Sequence, residues 1–195
     1  MDRDTELDLV ARLQAGEADA FDLVHAEFNG RLFTFLARLA RSRDVAEDLL
    51  EETWLRLVEH ADRLRDDTRL APWLFTVARN LYVTYCRSRI LEDAHAPDMI
   101  GLWPTGIPRS PFEETAGHEF ERRLEAALAD LPLASREVLL LVGVEGLRPV
   151  EAAHVCGISP EALRQRLSRA RALLDHRLRD TSLRRGAVRL REVRP

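Results

Sequence analysis

Pro149 to Ser168 holds the residues with the clearest chemistry in the chain. A short helical stretch ends at Gly157, and Ser159-Pro160 then opens a second one carrying Arg164, Gln165, Arg166, Ser168 and Arg169. Arginine grips guanine with two parallel hydrogen bonds, glutamine does the same for adenine, and both also hold phosphate. Leu163, Leu167, Ala170 and Leu174 recur on the opposite side at helical spacing. The polar groups therefore share one face, and an apolar stripe ties the other to a core. Of the polar set, Arg166 lies nearest the buried edge.

The elements that would position this face are also legible. Ala153 is small where two helices approach closely, and Gly157 permits a backbone conformation other residues resist. Ile158 and Leu163 supply the contacts that fix the angle between the helices. Ser159 serves as N-cap and Pro160 as first helical residue. Together they form a helix-turn-helix, whose second helix lies in the DNA major groove with its amino-terminal half against base edges. A solvated arginine face on a protein-binding helix pair is the competing reading.

The rest of the chain reads as helices. Residues 5–15 form a short amphipathic helix ending near Gly16, and Phe21, Val24, Phe28, Leu32, Phe35, Leu36 and Leu39 mark a second. Asp44 with Glu47 makes a capping-box-like start to a third, with Val45, Leu49, Leu50, Trp54, Leu55, Leu57 and Val58 on its inner side. Pro72 opens a fourth through Trp73, Val77, Leu81 and Tyr85. From Leu91 to Gly117, four of the nine prolines and three glycines break the helical pattern. That stretch reads as a linker, apolar enough at Met99, Ile100, Leu102, Trp103 and Ile107 to dock on the domains it joins. A helix around 119–130, another from Ser135 to Glu145, the helix-turn-helix and a last helix ending near Leu178 follow. The expected fold is all-α: two small helical domains, 1–90 and 119–178, joined by an acidic linker at 91–118 and followed by a basic tail at 179–195.

Composition narrows the function. All 29 basic residues among the 195 are arginine, and the formal net charge is −4. The absence of lysine is explained by genome base composition. Residues 1–90 hold 13 Arg against 17 acids, 91–130 hold 3 against 9, and 131–195 hold 13 against 7. A polyanion-binding end is attached to an acidic body. No apolar run approaches the ~20 residues that cross a bilayer, and the charged start Met1-Asp2-Arg3-Asp4 is unlike a signal peptide. A cytoplasmic protein is expected. Cys86 and Cys156 are far apart, and the six histidines show no ligand spacing. No phosphate loop and no nucleophile–base arrangement appears, so no metal, cofactor or catalytic residue is expected.

Three segments carry a family resemblance. Asp44-Val-Ala-Glu-Asp-Leu-Leu-Glu-Glu-Thr-Trp-Leu-Arg-Leu57 resembles the polymerase-binding helix of bacterial extracytoplasmic-function (ECF) sigma factors, a group of the sigma-70 family. Pro72-Trp-Leu-Phe-Thr-Val-Ala-Arg-Asn80 is similar to that family's promoter-melting segment. Arg136–Leu141, Val144–Leu147 and Leu163–Arg171 resemble its promoter-reading carboxy-terminal domain. The resemblance implies that 1–90 binds core RNA polymerase and melts the −10 element, while 119–178 reads the −35 element. It implies docking by Asp48, Glu51, Glu52 and Leu55 on the clamp helices of the large polymerase subunit. It further implies contact between the helix-turn-helix domain and the polymerase flap. It places single-stranded −10 DNA against the loop Asp62–Ala71 and against Arg65, Arg69, Arg79, Asn80 and Arg87. Trp54 and Trp73 read as core residues. An anti-sigma partner is also implied. The sequence departs from the family at Leu64, where an aromatic is common, at Asp66-Asp67 beside the DNA path, at Glu51, at Gly143, at Arg148-Pro149, and at Ala152 and Cys156. A stand-alone helix-turn-helix regulator, or a polymerase-binding antagonist without promoter reading, is the rival, although neither needs both Asp44–Leu57 and Trp73–Asn80.

Overall fold

The computed structural model describes the backbone of residues 1–94 and 119–192 and the side chains of residues 1–90 and 121–179. Among them every regular element is helical: α1 (Arg3–Gln14), α2 (Ala18–Ala40), α3 (Arg43–His60), α4 (Leu70–Ala94), α5 (Glu119–Ala129), α6 (Leu133–Leu139), α7 (Pro149–Cys156) and α8 (Pro160–Glu192). A 3₁₀ turn at Ala61–Arg63 and a π turn at Leu140–Val144 complete the set. The proline-rich stretch with Met99, Ile100, Leu102, Trp103 and Ile107 lies outside the described residues, as do the side chains of the arginine tail from 180 onward.

Local chemistry sets the helix ends, and several differ from the sequence expectation. Asp2 caps α1 by accepting from the Thr5 amide at 3.0 Å, and Gly16 follows the helix at φ +77°. Helix α3 is capped by Ser42, which accepts from Val45 N at 3.4 Å, so Asp44 is not the cap. Glu47 instead pairs with Arg43 one turn back. Ala46, Leu49, Thr53, Trp54 and Leu57 form the buried side of α3. Leu55 and Val58, expected inside, are 56% and 61% exposed, because they fall on the opposite face. Helix α4 begins at Leu70 rather than Pro72 and runs to Ala94, past the expected linker start. Helix α6 starts at Leu133, not Ser135, and Gly143 sits in the wider π turn, where Glu145 N bonds back to Leu140 O. The backbone of α8 continues to Glu192 instead of ending near Leu178.

Helices α1–α4 pack around Val10, Val24, Phe28, Phe35, Leu57, Leu74 and Phe75, and α5–α8 around Val138, Leu141, Val155, Leu163 and Ala170. The two groups are joined, α4 lying on α7 and α2 on α6. Ion pairs cross the joint: Arg79 Nε donates to Glu137 Oε1 at 2.6 Å, Arg31 Nε to Glu145 Oε2 at 3.1 Å, and Arg38 pairs with the buried Glu125. At its centre lies Arg136, 6% exposed. Its guanidinium donates to the carbonyls of Leu128, Ala129 and Leu131 at the end of α5, and to those of Arg38 and Leu39 at the end of α2. Carbonyls at two helix ends thus share one cation.

Candidate nucleic-acid interface

The turn before α8 forms as its sequence dictates. Gly157 ends α7 at φ +64°, a left-handed conformation in which a side chain is strained. Ser159 Oγ accepts from Ala162 N at 3.1 Å, and Pro160 takes the first helical position, where its missing amide costs nothing. With the start of α8 fixed, Leu163, Leu167 and Ala170 turn into the core at 0%, 7% and 0% exposure. Arg164, Gln165, Ser168 and Arg169 turn outward together and line one shallow, open depression. Arg166 is half-buried at the edge of this face. Among the described residues Arg164, Arg166 and Arg169 form no ion pair, and Arg169 Nε reaches only the Gln165 carbonyl at 3.4 Å. This is an uncommitted cationic surface on a rigid helix.

The second cluster is arranged differently. Asn80 and Arg87 stand exposed two turns apart on one face of α4, Asn80 lying about 15 Å along the axis from the helix start. Arg79 is drawn to the other face by Glu137, a carboxylate itself 6% exposed. Arg69 pairs with Glu6 at 2.9 Å and reaches Glu151 at 3.7 Å, while Arg65 pairs with Asp67 at 3.1 Å. Arg65 and Arg69 thus sit at the loop before α4, while Arg79, Asn80 and Arg87 lie farther along the helix, and among the described residues only Asn80 and Arg87 of these five present uncommitted polar ends. Leu64, which stands where an aromatic was anticipated, is buried at 7%. Trp73 is half-buried and packs on the core.

Near Arg79 lies Cys156. Burial, followed by the negative charge of Glu137, pushes its thiol up to about 12, against the opposing pull of Arg79 and Arg166. Cys156 is therefore a neutral thiol at the joint. Glu151 experiences burial first, which raises its pKa, but side-chain and backbone hydrogen bonds from Arg148 outweigh this and leave it lowered.

The third surface is acidic. Asp48, Glu51, Leu55 and Val58 lie exposed along one side of α3, with Glu52 half-buried and paired to Arg56 at 2.8 Å. Trp54 is not part of it: the ring is 8% exposed, stands edge-on to Phe21, and donates Nε1–H to Asn29 Oδ1 at 3.0 Å.

Residues 24–90 match Sigma-70 region 2, and residues 121–174 match Sigma-70, region 4. The chain is 36% identical over 143 residues to the ECF RNA polymerase sigma factor EcfG of Rhodopseudomonas palustris, which spans 73% of this chain and 76% of that protein. It is 31% identical over 153 residues to the ECF RNA polymerase sigma factor SigM of Bacillus subtilis, covering 78% and 91%. This chain belongs to the ECF sigma factors. Among solved structures, the sigma factor RpoE of Bartonella quintana, crystallised with the anti-sigma factor NepR, superposes with a TM-score of 0.68 at 25% identity, covering 82% of this chain and 96% of that one.

In this sigma factor the matched regions coincide with the two helical groups, region 2 with α2–α4 and region 4 with α5–α8. Among the described residues no helix is long and apolar enough to cross a membrane, and no cluster of His, Cys, Asp or Glu is placed to hold a metal ion. Sequence reasoning missed two features of this sigma factor. The first is Val58, which doubles the apolar patch on α3 beside Leu55; its signal was its spacing of three from Leu55. The second is Glu6, 5% exposed, which accepts from Leu70 N at 2.9 Å and so caps α4 from 64 residues away. Its signal was an acid standing in register with Leu9, Val10 and Leu13 on the apolar side of α1.

Proposed function

We propose that this sigma factor binds core RNA polymerase through α3, reads a −35 element with α8, and captures a −10 element as single-stranded DNA at the loop before α4. The domain roles follow the same division, with 1–90 docking and melting, 91–118 linking, 119–178 reading, and the tail from 179 adding salt-sensitive affinity for the phosphate backbone. The observation that carries this reading is the outward set Arg164, Gln165, Ser168 and Arg169 over a fully buried stripe. It offers base-reading groups on a helix whose angle is fixed by Gly157 and Ser159. Arg166 contributes from the edge of that set.

On α3, Asp48, Glu51 and Glu52 surround the exposed Leu55 and Val58. Acids around an apolar centre suit a basic coiled-coil partner, with the charges steering encounter and the apolar groups holding contact. The clamp helices of the large polymerase subunit are that partner in this reading, with the flap meeting the α8 domain. At the other surface Asn80 offers an amide to a base edge, and Arg87 and Arg65 hold phosphates. Arg79 joins them only when its bond to Glu137 opens. Flipping a base out costs a few kcal/mol, returned by hydrogen bonds and stacking in the loop. The protein acts by binding, without covalent chemistry, in the cytoplasm, and is held inactive by an anti-sigma partner, as the NepR complex of RpoE suggests.

Run-off transcription with purified core polymerase and this chain over a promoter library tests the reading. Transcripts that start downstream of a shared pair of elements are expected. Absence of both core binding and transcript would discard it in favour of a stand-alone helix-turn-helix regulator, and core binding without any transcript in favour of an antagonist.

A further inference from the structure

Helix α1 does little for the α2–α3–α4 core that an apolar helix would not do better, yet it places a carboxylate inside. Glu6 occupies a position on the stripe Glu6, Leu9, Val10, Leu13, where leucine would complete the packing. A buried carboxylate is costly to desolvate unless its oxygens are fully engaged. Those of Glu6 are. Oε1 accepts from the Leu70 amide at 2.9 Å, at the positive end of α4. Oε2 accepts from Arg3 at 2.7 Å and pairs with Arg69 Nε at 2.9 Å.

Two further side chains of α1 reach the same loop. Arg3 donates to the carbonyls of Asp67 at 2.9 Å and Thr68 at 3.2 Å. Gln14 Nε2 donates to the Leu64 carbonyl at 2.7 Å and to Asp66 Oδ1 at 3.0 Å. Residues 64, 66, 67, 68, 69 and 70 are thus each tied to α1, whereas the loop's own bonds are few: Leu64 N to Ala61 O, Thr68 N to Arg65 O and the Arg65–Asp67 pair. The outward side chains of Arg65 and Asp67 are left facing solvent from a backbone held on its inner side.

We infer that Glu6, with Arg3 and Gln14, is the positioning group of the loop that receives the −10 strand, and that Arg69 serves this frame instead of binding a phosphate. The inference rests on the loop's role given under Proposed function. Glu6 touches no DNA: it sets the loop conformation into which an unstacked base must fit, where a displacement of about 1 Å is enough to cost about a hundredfold in a preorganised site.

The test uses holoenzyme assembled from core polymerase and the full chain, with Glu6→Gln, Arg3→Ala and, as a control on the far side of α1, Arg12→Ala. Glu6→Gln keeps an acceptor for the Leu70 amide but loses the charge facing Arg3 and Arg69. Arg3→Ala removes two carbonyl ties at a half-exposed position, so it reports even where the Glu6 variant fails to fold. Each is measured for core affinity, for preference between a matched and a single-base-substituted −10 single strand, and for transcript from duplex and pre-melted promoters. Glu6→Gln and Arg3→Ala are expected to keep core affinity within about twofold, to lose about tenfold or more of the −10 preference, and to recover most of their transcript on the pre-melted template, where strand opening is already done. Arg12→Ala is expected to match the wild type. Wild-type preference retained in both loop variants would overturn the inference, as would a loss that falls equally on core affinity, on the single strand and on both templates. A wild-type holoenzyme with no −10 preference would instead remove the reading of the loop itself, and this inference with it.

Discussion

On α8, Arg164 and Arg169 stand in solvent beside Gln165 and Ser168, with no acid paired to them among the described residues. In and before α4, Arg65, Arg69 and Arg79 each already hold a carboxylate: Asp67, Glu6 and Glu137. The same residue type is deployed free in one region and committed in the other. The difference matches what each region is proposed to do. A duplex presents its major groove ready-made, so a reader gains from side chains that are exposed and unengaged. A melted strand does not exist until the bases separate, so the cations proposed to meet it, Arg65 and Arg79, are held by internal partners until then, while Arg69 stays in the loop frame. The α8 surface is therefore preformed, whereas beside α4 Arg79 becomes available only when its pair across the joint between the halves opens.

The largest effect is expected at that joint. Glu137→Gln leaves Arg79 facing a neutral partner in a buried site, where loss of one member of an ion pair typically costs about 3–5 kcal/mol. The packing of α4 on α7 should loosen. Cys156 responds to both changes: burial and the charge of Glu137 itself hold its thiol up at about 12, so its alkylation should accelerate sharply in the variant as that charge is lost and the joint opens. Unchanged unfolding stability in the variant would mean that Arg79 is not held by this pair in solution, and the contrast with α8 would collapse.

Next comes the free surface. Arg164→Ala should weaken binding of holoenzyme to −35 duplex by about 5- to 150-fold, as expected for loss of a bidentate base contact, and leave core affinity intact. A fall in core affinity would show that α8 is not a dedicated reading face. Reversing both Asp48 and Glu52 to arginine should lower core affinity by about tenfold, more at low salt than at high. An effect independent of salt would point to a change in folding instead of docking.

The smallest effect concerns pH. Burial raises the pKa of Glu145, and the Arg31 contact only partly reverses this. A carboxyl whose pKa is higher in the folded state costs stability above that pKa, and this cost disappears as the pH falls through it. Glu145→Gln removes the charge at every pH. Its stability relative to wild type should therefore be greatest near neutral pH and decline towards the acid side, measured by denaturant unfolding at a series of pH values.

Much of this architecture can be read from the sequence. The apolar spacing of Phe28, Leu32, Phe35 and Leu39 gives α2, and Gly157 with Ser159-Pro160 gives the turn before α8, because each signal is complete within a few residues. The polar face of α8 is legible for the same reason: Leu163, Leu167 and Ala170 fix its phase. What periodicity does not carry is the choice of a distant partner. Arg79 and Glu137 are 58 residues apart, and Arg31 and Glu145 are 114 apart, so nothing local separates an arginine awaiting phosphate from one already paired. Leu55 and Val58 face outward on α3, although a helix rich in apolar residues offers several inner faces that would include them. Ser42 caps α3, although Asp44 two positions on offers a local capping pattern of equal quality.

Arg136 bears on how the joint between the halves comes apart. A guanidinium has five N–H donors, and here each finds a carbonyl, three at the end of α5 and two at the end of α2. No donor is spare, so neither helix end can retreat by stages while the cation stays dry. Withdrawal of α2 strands the two donors that face Arg38 and Leu39, and stranded donors inside a protein are penalised at once. Separation is consequently all-or-none, with the geometry of one side chain acting as its latch. An ammonium group, with three donors on a point charge, could not satisfy all five of these carbonyls. At this position the preference for arginine is dictated by shape, in a chain whose lack of lysine otherwise reflects only its coding bias.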